Sequence, residues 1–135
     1  MGMGPRLRAQ VRQRAGFRCE YCHFPEQLAE LRFQFDHIRP EQHGGPTVVE
    51  NLAWSCPRCN KYKAPNLSGI DPKTGRTVRL FHPRKDIWEH HFAWDGPKLF
   101  GLTPVGRATA SVLQCNHLDA LLTREALMAE GVSFA

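Results

Sequence analysis

Four of the five cysteines fall into two Cys-x-x-Cys pairs, Cys19/Cys22 and Cys56/Cys59, with 33 residues between the pairs. A knuckle of this kind turns tightly enough to aim both sulfurs at one ion. Two knuckles then complete the four-thiolate tetrahedral shell that Zn2+ prefers, with Zn–S distances of about 2.3 Å. That shell leaves no coordination position open, so the expected zinc is structural and staples separate elements around an inserted strand and loop. A redox dithiol would need only one pair. Buried free thiols are the other competing reading. Arg18, Arg58 and Lys61 stand beside the knuckles and can offset thiolate charge, whereas Cys115 stands alone and is expected as a small core residue.

A second group of reactive side chains lies between and just after the knuckles. Asp36-His37 is followed by Asn51, 14 residues on from His37, and by Asn60, nine further and directly after Cys59. Taken singly, each has a bland reading: a surface pair or cap for Asp36-His37, a turn for Asn51, a helix cap for Asn60. Together, the string Cys19-x2-Cys22, Asp36-His37-Ile38, Gly44-Gly45, Asn51-Leu52, Cys56-x2-Cys59-Asn60-x2-Lys63 resembles the HNH nuclease family in its zinc-bearing variant.

The resemblance covers about residues 15–66 and implies a ββα-metal core, a two-strand hairpin packed on a helix with a divalent cation between them. It implies hydrolysis of DNA, with His37 as general base and Asp36 and Asn60 as ligands of a catalytic cation. Both ligands are oxygen donors, which suits Mg2+ or Mn2+. In the same mapping Asn51 holds the loop and orients His37 by a hydrogen bond. An imidazole, which titrates near neutral pH, suits the task of taking a proton from water, while a cation holds the phosphate and stabilises the leaving 3′ oxygen. The third position carries Asn60 where the family name has His; some members carry Asn there, and the change favours a hard cation over Zn2+ at the active centre. Lys63 is a candidate phosphate contact, and His82 in Phe81-His82-Pro83-Arg84 is a second. The rival from another class is a zinc-stapled DNA-binding module without catalysis, and RNA is not excluded as substrate.

These residues need elements to position them. Arg6 to Ala15 is expected as a basic helix with Leu7, Val11 and Ala15 on one face, ended by Gly16; Arg8 and Arg12 on it are candidate DNA-backbone contacts. Leu31, Phe33 and Phe35 alternate with polar residues and predict a strand arriving at Asp36-His37. Alternation sends Asp36 and His37 to opposite faces, so both serve one site only if the strand ends or twists there. The Gly- and Pro-punctuated run 39–46 is a loop, Leu52 to Ser55 a second strand, and a short helix follows from Cys59 to Ala64. Further on, Val78 to Phe81 is expected as a strand, and Phe92–Trp94 with Leu99–Phe100 as a hairpin across Asp95-Gly96-Pro97. Thr103-Pro104 opens a helix to about Gln114, and Asn116 caps another with Leu118, Leu121, Leu122, Ala126 and Met128 as its core stripe.

The fold class expected is α+β: a small ββα-metal, treble-clef-like core with a four-cysteine zinc, an N-terminal basic helix, and a C-terminal hairpin and helices. We read residues 1–135 as one domain, with 15–66 as nuclease core and 67–135 as an accessory extension. Hydrophobic residues make up 41% and aromatics 10%, enough for a core and against disorder. No apolar run reaches membrane-spanning length, and Met1 to Arg6 has no apolar leader, so a cytoplasmic protein with reduced thiols is expected. The net charge of +5 is uneven: residues 1–103 hold 16 of the 18 Lys/Arg and 10 of the 13 acids. That excess points to a polyanionic partner, with double-stranded DNA expected and either a monomer or a homodimer.

Overall fold

The computed structural model describes residues 3–135, and Met1 and Gly2 lie outside the described residues. Helix α1, Pro5–Arg14, begins with proline where its missing N–H costs nothing and ends before Gly16 at φ 64°. Val11 is fully buried on it, with Leu7 and Ala15 packed beside it, as the spacing predicted. The first knuckle follows. Strands β1, Gln34–His37, and β2, Leu52–Ser55, then pair antiparallel in the register Asp36↔Ala53 and His37↔Leu52. Helix α2, Pro57–Lys63, leaves β2 directly; the Cys56 sulfur caps it by accepting from the Cys59 N–H. This is a hairpin with a helix behind it, in a small α+β protein.

β1 is shorter than its alternating pattern predicts. Leu31 is exposed, and Phe33 and Phe35 pack against Trp54 instead of against α2. The residue that β1 buries toward α2 is Asp36, because Tyr21 and Lys63 satisfy its carboxylate there. A charged group can occupy a core position when every oxygen is bonded.

Past the core, β3, Ser68–Ile70, pairs with β4, Thr77–Arg79, across the Asp71–Gly75 turn. Helix α3, Trp88–His91, runs into the hairpin of β5, Phe92–Asp95, and β6, Lys98–Gly101. Helix α4, Pro104–Val112, has the expected Thr103 cap, whose hydroxyl accepts from the Gly106 N–H. Helix α5, Leu118–Ala129, departs from expectation twice. His117 precedes it, since the Asn116 amide is spent on the backbone N–H and C=O of Leu99. Its inward face is Ala120 and Arg124, with Leu118 and Leu122 exposed.

The extension is bound to the core by polar contacts as well as packing. Trp88 Nε1 donates to Tyr21 O at 2.9 Å, His23 stacks on Trp88 at 4.1 Å, and Arg84 pairs with Glu20. No helix among the described residues is long and apolar enough to cross a membrane.

Candidate metal centre and nuclease site

The sulfurs of Cys19, Cys22, Cys56 and Cys59 all lie within 4.8 Å of one another and are buried. Cys22 Sγ and Cys56 Sγ are 3.6 Å apart. A tetrahedron with Zn–S of about 2.3 Å has an edge of about 3.8 Å, so the donor set fits zinc. Crowding splits the thiol acidities. The Cys56 thiol is lowered, chiefly by its bond with Cys19; those of Cys22 and Cys59 are raised, the first chiefly by Cys19 and the second chiefly by Cys115. Four thiolates this close need a cation to ionise together, and the all-sulfur donor set suits Zn2+. Each knuckle also turns a backbone N–H onto a sulfur, Cys22 N–H to Cys19 and Cys59 N–H to Cys56.

The expected neighbours of the thiolates are largely occupied elsewhere. Arg58 pairs with Asp119 at 2.8 Å, and Arg18 donates to His23 O and Ser133 O. The cation that sequence reasoning missed is Arg124. It is 3% exposed, it donates to Pro97 O and Cys115 O, and it lies close enough to Cys22, Cys115 and Cys59 to feel their charge. Its signal in the sequence was an arginine one helical turn from Ala120, on the face that the helix buries.

At the other end of β1, Asp36 and His37 diverge as strand geometry requires. The Asp36 Oδ2 accepts from Tyr21 Oη at 2.6 Å, and Lys63 Nζ lies 3.1–3.2 Å from both carboxylate oxygens. Burial raises the Asp36 pKa and so weakens it as an acid, with Lys63 and Tyr21 opposing. Lys63 also donates to the carbonyls of His37 and Ile38 and is 2% exposed. Its expected phosphate contact is therefore corrected: the ammonium is spent inside the fold, on the end of β1. Asn60, one turn earlier on α2, is half-buried, and its amide makes no hydrogen bond among the described residues. Asp36 and Asn60 thus offer two hard oxygen donors on elements that meet, which fits Mg2+ or Mn2+ by donor type, although in this arrangement an ammonium is the partner of Asp36.

His37 faces the 39–47 loop. Its Nε2 is 2.9 Å from Thr47 Oγ1 and 3.8 Å from a Glu41 carboxylate oxygen. Asn51 does hold that loop: its Oδ1 accepts from the Arg39 N–H, and its Nδ2 donates to Arg39 O and Pro46 O. It does not touch the His37 ring, and Thr47 is the residue that does. Gly45 makes this clasp possible, since a Cβ there would meet Arg39 O at 1.7 Å.

The candidate DNA-backbone residues also differ from each other. Arg8 is exposed and lies over the Phe35 ring at 5.4 Å. Arg12 is tied to Glu26 at 2.9 Å and lies over Trp54, so its guanidinium is part of the packing of α1.

Residues 19–65 match the family model described as HNH endonuclease. No curated protein and no solved structure matches the chain. The match begins at the first zinc-site cysteine, ends just past Lys63, and encloses both the thiol cluster and the Asp36, His37, Asn51 and Asn60 group.

Proposed function

We propose that this chain is a metal-dependent endonuclease that hydrolyses phosphodiester bonds of double-stranded DNA, with His37 as general base. The observation that carries the reading is the setting of His37. It is half-buried at the end of β1, bonded through its ring to Thr47 in a loop that Asn51 clasps, and it follows Asp36 in sequence while facing away from it. A base fixed this way loses little entropy when it meets an attacking water. His37 takes the water proton, the hydroxide attacks phosphorus, the bond to the 3′ oxygen breaks, and the leaving 3′ oxygen takes a proton from solvent water, giving 5′-phosphate and 3′-hydroxyl ends. Held by Asp36 and Asn60, Mg2+ or Mn2+ would supply charge stabilisation for the phosphate and the leaving oxygen. The four-thiolate zinc plays no part in the cut, and its reduced sulfurs suit the cytoplasm.

One observation favours the second reading, a zinc-stapled DNA-binding module: the Asp36 carboxylate is neutralised by Lys63. Supercoiled plasmid incubated with Mg2+ or Mn2+ separates the two. Nicking should need the added cation, stop with EDTA, and fall by roughly 10²–10⁴-fold in His37→Ala. Equal residual nicking by wild type and His37→Ala sinks the nuclease assignment and leaves the binding module.

A further inference from the structure

Beside the proposed cutting site, a cleft of about 490 Å3 opens between the core and the extension. Ile38, Arg39 and Lys63 form its core side, and Arg79, His82 and Lys85 its other side. Two of the cations are balanced, Lys63 by Asp36 and Arg79 by Asp86, whose oxygens take Arg79 at 2.6 and 3.0 Å. Arg39 and Lys85 are exposed, and their charges make no ion pair among the described residues, so the cleft keeps a positive balance.

His82 stands between these charges with its tautomer fixed by geometry. Its Nδ1 accepts backbone N–H bonds from Arg84 at 3.1 Å and Lys85 at 3.3 Å, so the ring proton of the neutral form sits on Nε2. That Nε2–H has no protein acceptor among the described residues, and the ring is half-buried on the cleft wall. Burial, reinforced by Lys85, lowers its proton affinity and keeps the ring neutral near physiological pH. A fixed N–H donor flanked by two unpaired cations is complementary to a phosphodiester oxygen.

We propose that this cleft binds a backbone phosphate of the nucleic-acid strand next to the one being cut, with His82 Nε2–H, Arg39 and Lys85 as its contacts. The extension would then supply half of the DNA site, from residues outside the matched family segment. This rests on the nuclease reading for its meaning, but it is tested by binding alone.

The test uses the full-length, zinc-loaded protein and a fluorescent 20-base-pair duplex, with no Mg2+ or Mn2+, across a salt series. His82→Asn keeps an acceptor where Nδ1 stood and removes the outer donor; His82→Gln does the reverse. The proposal expects His82→Asn to weaken binding about tenfold with an unchanged salt slope, and His82→Gln to stay within about threefold of wild type. Lys85→Ala should lower the salt slope by about one. Thermal melts report folding of each variant. If His82→Asn binds like wild type while His82→Gln is the weaker binder, the ring is only a backbone cap and the proposal is overturned. Wild type that binds the duplex with this variant pattern yet never nicks plasmid would leave the subsite standing and overturn the nuclease reading.

Discussion

At the scale of single residues, the loop that carries His37 depends on a reciprocal clasp. Asn51 is 8% exposed, accepts one hydrogen bond from the Arg39 N–H and donates two to the carbonyls of Arg39 and Pro46, with Gly45 packed flat against the Arg39 carbonyl. Asn51→Ala leaves a buried N–H and two carbonyls to find water. The expected loss is roughly 1–3 kcal/mol of stability, measured by urea denaturation. Gly45→Ala should open the loop outright, because the clashing atom is backbone and cannot swing away. In both variants nicking should fall by more than stability does, since Thr47 lies in the same loop and sets the His37 ring. An unchanged rate in a folded Gly45→Ala protein would show that the loop does not position the base. The spacing of Asn51 pointed to this role, but Thr47 carried no signal: a threonine near a Pro is common, and only the folded loop brings its hydroxyl to the ring.

At the scale of elements, what the chain announced locally is what the fold delivered. Prolines at helix starts, the Thr103 cap and the Gly16 stop act within a turn, so α1 and α4 begin close to where their residues say. Helix α2, by contrast, starts at Pro57, two residues before the Cys59 expected from the sequence, because the Cys56 sulfur caps it. Elements decided by tertiary partners were less legible. Asp36 is buried because Tyr21, 15 residues earlier, and Lys63, 27 later, meet it; α5 turns Arg124 inward because the thiol cluster and Pro97 O wait there. The β3–β4 turn shows the same dependence and can be probed with pH. Asp71 is fully buried, binds the Lys73 N–H and Thr74 hydroxyl, and grips Arg107 of α4 through two 2.9 Å bonds. The Arg107 contact holds its carboxyl well below the usual carboxylate range. A carboxylate depressed in the folded state stabilises the protein above the unfolded value near 3.8 and loses that contribution as pH falls through the folded value. Wild type should therefore exceed Asp71→Asn in denaturant midpoint at pH 6, and the gap should narrow as the pH falls below about 4. A gap that is constant with pH would mean the pairing does not set this carboxyl's ionisation.

At the scale of the whole molecule, the four-cysteine cluster joins more than its own knuckles. Its sulfurs come from the segment between α1 and β1 and from the junction of β2 with α2, Cys115 bears on Cys59, and Arg124 of α5 closes over the group. Zinc there should therefore hold the basic helix, the hairpin and the C-terminal helices in one cooperative unit. Metal analysis of purified protein should return close to one zinc per chain. Binding energy at such sites is folding energy, on the order of 10 kcal/mol, comparable with the whole stability of a chain of this size. Cys56→Ser should thus unfold or aggregate, and a strong chelator should abolish the helical circular-dichroism signal in a single transition. His37→Ala, which removes a ring whose hydrogen-bond partner among the described residues is Thr47, should melt with wild type. A chelated protein that keeps its helices and its melting temperature would show that packing alone holds the fold, and that the cysteines bind metal without supporting the architecture.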